Sequence, residues 1–148
     1  MRELSELVQT TERRLQGSSH RWARPLAWVL RTRLVIACPL PFRMVGLTNP
    51  LLPIIMLERK FVTRNLRLGD EGRARIMHTL LHEAAHQLWA VWPEWRNWLG
   101  DRNHYGPESN AADAIAEGVM RSMGVRSHYA ERKLSYVSPL QKLGLIKG

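Results

Sequence analysis

The sequence predicts a single α+β domain, and three observations carry that prediction. Short β-prone runs cluster between positions 34 and 62, two strong helical patterns follow from position 70, and the 148-residue length is that of one ordinary domain. The expected layout is one unit over 1–148, with its core over about 20–125 and a basic tail over 126–148. A hydrophobic fraction of 45% beside 24% charged residues is the balance of a chain that folds and excludes a disordered one.

At the N-terminal end, Leu4, Leu7, Val8 and Leu15 fall near helical spacing. Pro25, ahead of Leu26, Val29 and Leu30, suits the first turn of a second helix. The opening MRELSELVQTTERRL interrupts its apolar residues with Glu and Arg, so it does not read as a secretory signal. From position 34 the character changes. Leu34–Ala37, Phe42–Leu47 and Ile54–Val62 are β-prone runs punctuated by Pro, Gly and Asn, which predicts three strands of a small antiparallel sheet. This is also the most apolar stretch, but Pro39, Pro41, Arg43, Pro50 and Pro53 make it a poor membrane span.

Gly69-Asp70-Glu71 supplies a turn, an N-cap candidate and acids for the positive end of a helix dipole. The helix that follows places Ile76, Leu80, Leu81, Ala84 and Leu88 on one stripe and runs toward Pro93. The segment from Trp89 to Tyr105 holds four of the six tryptophans together with Pro, Gly, Asp and Asn, an irregular connection anchored by aromatic burial. Pro107-Glu108 then opens a second helix with Ala112, Ile115, Ala116, Val119 and Met123 on one face and Gly124 as its stop.

The chemistry lies in the first of these two helices. His82-Glu83-Ala84-Ala85-His86 is an H-E-x-x-H pattern, and at about 100° per residue the two histidines sit about 40° apart around the helix, so both imidazoles can grip one ion. Two neutral imidazoles with one further N or O donor leave a tetrahedral zinc ion a vertex for water. Glu83, offset from the ligand stripe, is placed to act as general base on that water. The expected reaction is peptide-bond hydrolysis without a covalent intermediate. Ordinary helix-surface residues would give the same letters, but three such residues coincide on a helix only rarely.

A third ligand is expected at His104, in the irregular segment before the second helix. Glu117 is the alternative, with Glu108 and Asp113 behind it as helix-borne carboxylates. Tyr105 could donate a hydrogen bond to a developing oxyanion, or pack against the tryptophans. His78, one turn before His82, reads as a supporting or surface residue.

These residues resemble the SprT-like metallopeptidase family, which includes the Spartan-type proteases acting on proteins crosslinked to DNA. The likeness rests on His78-Thr79-Leu80-Leu81-His82-Glu83-Ala84-Ala85-His86, on His104-Tyr105-Gly106-Pro107-Glu108, and on Ile54–Leu57 as a strand ahead of the motif helix. It implies a zincin-like fold, zinc held by His82, His86 and His104, Glu83 as catalytic acid/base, and DNA-associated protein substrates. The sequence departs from the family where Tyr105 follows His104 in place of Gly, and where Ser109 and Asn110 stand near the position of an aromatic.

The lone Cys38 excludes an intrachain disulfide and any cysteine zinc ribbon within these residues, and it suits a reducing cytoplasm. Contact with DNA would therefore fall to a basic surface or a partner, or be absent. The formal charge of +9, from 22 Lys+Arg against 13 Asp+Glu, gives such a surface its sign. It also supports the rival reading, a basic nucleic-acid-binding module with a structural or catalytically silent zinc site. Expected partners are thus a protein or peptide substrate and DNA, with no membrane.

Overall fold

The computed structural model describes residues 2–41, 44–49, 51–88 and 107–126, with backbone alone for 107–110. Two helices come first, α1 (Arg2–Gln16) and α2 (Ala23–Thr32). Three strands follow, β1 (Leu34–Cys38), β2 (Gly46–Thr48) and β3 (Ile54–Glu58). The chain continues into α3 (Arg59–Leu66) and α4 (Asp70–Gln87), and α5 (Pro107–Ser122) is the last described element. The α+β class expected from the sequence is the class observed.

The sheet is not the antiparallel one expected. Its order is β1-β3-β2, with β1 parallel to β3 (Leu34 opposite Ile54) and β2 antiparallel to β3 (Leu47 opposite Met56). The cause is topological. The chain reverses between β1 and β2 and again between β2 and β3, so β1 and β3 run the same way, and β1 takes the far side of β3 instead of pairing with β2. Periodicity within a strand sets which side chains face inward, and it carries no information about which strand is central.

The third β-prone run also stops early. It leaves the sheet at Glu58, whose carboxylate accepts from the Lys60 backbone N–H at 3.1 Å and caps α3, so Phe61 and Val62 are buried from a helix and not from a strand. The second strand is likewise shorter than expected, from Gly46 to Thr48.

Helix α4 runs through the middle of the molecule and is in contact with every other described helix and with β2 and β3. Ile76, Leu80, Leu81, Ala84 and Ala85 form the centre of the core with Leu15, Leu26, Val29, Ile55, Leu57 and Met120. Ile55 and Leu57 point from one face of β3 into this core, as alternation requires. The start of α4 lies hard against α3. A side-chain carbon at Gly72 would stand 1.7 Å from the Asn65 carbonyl oxygen, so only glycine permits this crossing. Asp70 is the first residue of α4 and not its cap, which is Gly69. Gly124 ends the last helix region with φ of 74°, the stop expected of it. Among the described residues, no helix is long and apolar enough to cross a membrane.

Candidate metal centre

A helix buried on all sides should be apolar all round. Helix α4 breaks that rule: from Ile76 to Gln87 every residue is buried, and the run includes His78, Thr79, His82, Glu83, His86 and Gln87. Polar groups removed from water in this number require partners or a function.

The histidines follow the spacing expected of them. His82 and His86 turn their Nε2 atoms toward each other at 3.2 Å, with ring centroids 4.9 Å apart and planes inclined at 71°. Two tetrahedral ligands about 2.0–2.1 Å from one ion would stand about 3.3–3.4 Å apart, so this separation already fits a shared zinc ion. The opposite edge of the His82 ring is held from α5, where Asp113 Oδ1 lies 2.7 Å from His82 Nδ1. An ionised carboxylate only accepts hydrogen bonds, so the proton belongs on Nδ1 and the lone pair on Nε2, the atom that faces His86. The same carboxylate oxygen lies 2.8 Å from Nε2 of His78, which is 2% exposed.

Glu83 is buried against the sheet, beside the histidine stripe. Its neighbour is the backbone of β2: a side-chain carbon at Gly46 would stand 2.9 Å from Glu83 Oε1, 2.9 Å from Thr79 Cγ2 and 3.0 Å from Glu83 Cγ. Strand β2 can lie beside this carboxylate only because position 46 has no side chain. Gln87 anchors the end of the helix. Its amide donates to the carbonyls of Leu52 at 2.9 Å and Asn49 at 3.1 Å and to the Thr48 hydroxyl, while its oxygen accepts from Arg33 Nε at 3.0 Å. The motif helix is thereby pinned to the β2–β3 connection and to the end of α2.

Of the residues singled out in the sequence, His82 and His86 face each other through Nε2, and Glu83 lies beside Gly46 of β2. His104 and Tyr105 lie outside the described residues, as does the side chain of Glu108. Glu117 is half-buried on α5, one turn beyond Asp113. Among the described residues, no three His, Cys, Asp or Glu side chains are grouped to hold a metal ion. The described centre thus offers two imidazole donors, backed by one carboxylate and flanked by another. Asp113, weighed as a ligand from sequence, instead supports His82. Sequence reading passed over Gly46 and Gln87. A glycine inside a β-prone run is a signal of close backbone approach, whereas Gln87 gave no comparable sign.

No family model matches this chain, and neither a curated protein nor a solved structure does.

Proposed function

We propose that the protein is a zinc-dependent endopeptidase. The observation that carries this reading is the pair of facing Nε2 atoms on consecutive turns of α4, one of them fixed in tautomer by Asp113, with the Glu83 carboxylate on the next residue. His82 and His86 would hold the metal, and the resemblance to SprT-like peptidases adds His104 as third ligand. Zinc, when bound, supplies Lewis acidity, which brings the pKa of a water toward about 7 and polarises a carbonyl.

The remaining work belongs to the chain. Glu83 takes the proton of the attacking water as the new C–O bond forms at the carbonyl carbon, and then passes it to the amine nitrogen as the peptide C–N bond breaks. Among the described residues β2 pairs on one side only, with β3. Its other edge could pair with an extended peptide, the geometry of strand addition.

The finer reading, DNA-associated protein substrates, is supported by a group of basic residues on and beside α3. Arg59, Lys60 and Arg64 of α3, with Arg67 just beyond it, are exposed and line an open groove of about 600 Å³. Retention of short duplex DNA should fall with added salt if this face makes phosphate contacts, and a salt-independent response removes that part of the reading.

The test of the central proposal is Glu83→Gln. Hydrolysis of unfolded casein should drop by a factor of about 10²–10⁴ while zinc content and fold are kept. A variant that cleaves as fast as the parent overturns the assignment.

A further inference from the structure

Three histidines, His78, His82 and His86, share one stripe of α4 at successive intervals of one turn, yet a metal site needs only the last two from this helix. Among the described residues, His78 is the most deeply buried titratable group outside the motif, at 2% exposure. Its ring meets the same oxygen, Asp113 Oδ1, that holds His82. We infer that His78 is a positioning residue for the metal-binding His82, acting through Asp113, an inference that rests on the zinc site proposed above.

Asp113 projects from α5 into a place where it is 5% exposed, so a carboxylate there must be satisfied by donors, and charge-assisted hydrogen bonds are the strong ones. One oxygen accepts from His78 Nε2 at 2.8 Å and from His82 Nδ1 at 2.7 Å. Two donors from consecutive turns of one helix, converging on one atom, fix the direction from which the carboxylate approaches the His82 ring. Without His78 the carboxylate loses one of the two donors that converge on Oδ1, and the direction in which it holds the His82 ring, whose Nε2 now lies 3.2 Å from His86 Nε2, is less tightly set. Outer partners of this kind change metal affinity by about 10–100-fold when removed, because they set both the ring orientation and the basicity of the ligand.

His78 makes no contact with the ion in this scheme, so its effect should follow the hydrogen bond and not the ring. Glutamine places an amide N–H near the position of an imidazole Nε2, whereas leucine fills the volume and offers no donor.

The experiment titrates the metal-free full-length protein with Zn²⁺ against a chromophoric chelator, and records the visible absorption of the Co²⁺ form as a reporter of ligand geometry. His78→Leu should bind zinc about 10–100-fold more weakly with an altered Co²⁺ spectrum, and His78→Gln should return affinity to within about 3-fold of the parent. Parent affinity in His78→Leu, or a His78→Gln variant as weak as His78→Leu, overturns the inference.

Should His78→Leu fail to fold, as judged by circular dichroism of the metal-free protein, Asp113→Asn takes its place. It keeps shape and an acceptor but loses the charge, and it should weaken zinc by about 10-fold. Parent affinity there is equally fatal. His82→Ala separates the two levels: if it still binds zinc as the parent does, the metal site itself is wrong, whereas loss of zinc in His82→Ala beside parent affinity in His78→Leu sinks the role of His78 alone.

Discussion

A methyl group at position 46 should impair catalysis without removing the metal. In Gly46→Ala the new carbon would stand 2.9 Å from both Glu83 Oε1 and Thr79 Cγ2. Ordinary contacts begin near 3.4 Å, so either β2 retreats or Glu83 moves, by about half an ångström in either case. Misplacing a reacting group by 1 Å can reduce a rate by about 10²-fold, so half that displacement corresponds to about 10-fold, or about 1.4 kcal/mol in the barrier. Overpacking of this size destabilises the fold by about 1–2 kcal/mol, a fall in Tm of about 2–8 °C for a chain of this length. Gly46→Val, with two further carbons, should be worse on both counts. The assay is initial-rate cleavage of unfolded casein, with zinc content and a thermal melt on the same preparations. The expected result is kcat/KM down about 10-fold with zinc at the parent level. Unchanged kcat/KM and unchanged Tm would mean that β2 does not lie against Glu83. Loss of zinc in place of loss of rate would mean that Gly46 supports the metal and not the base.

Other perturbations separate the parts of the account. His104→Ala should lower bound zinc sharply by metal analysis; a full complement would shift the third donor to Glu117 or Glu108 on α5. Gly72→Ala should destabilise the protein by about 2–3 kcal/mol, seen as a Tm lower by about 5–12 °C, because a carbon 1.7 Å from the Asn65 carbonyl forces α3 away from α4; an unchanged melt would contradict that crossing. The backbone amides of Leu40 and Lys60 hold the Glu58 carboxyl below its ordinary value of 4.5. Its folded-state pKa is depressed, so its stabilisation is complete above the unfolded value and is lost as pH falls through the folded one. Acid melts of Glu58→Gln should therefore lose part of the parent's slope below about pH 4.5, and identical acid profiles would refute the cap.

The parts of this molecule that were legible in sequence are those set by local rules. The i, i+4 pairing of His82 and His86 depends only on helix geometry, and the stop at Gly124 depends only on one residue's access to positive φ. The β-prone runs located the strands, yet strand order is set by long-range pairing, which no periodicity encodes. Helix α3 was hidden because Phe61 and Val62 favour strands. What decides the matter there is a cap from Glu58 and burial of the same two residues in the core. Asp113 could be weighed only as a ligand from its position in the chain, since its partners His78 and His82 lie on another helix. An acid among alanines on a buried helix face is nonetheless a readable sign that something charged or hydrogen-bonding waits opposite.

The central claim is that two imidazoles of α4 share one zinc ion, and zinc-edge X-ray absorption on the purified full-length protein addresses it most directly. The account predicts one zinc per chain with imidazole nitrogens at about 2.0–2.1 Å, and loss of that signal in the His82→Ala, His86→Ala double variant. A double variant that keeps both its zinc and the parent spectrum would place the metal elsewhere and contradict the account.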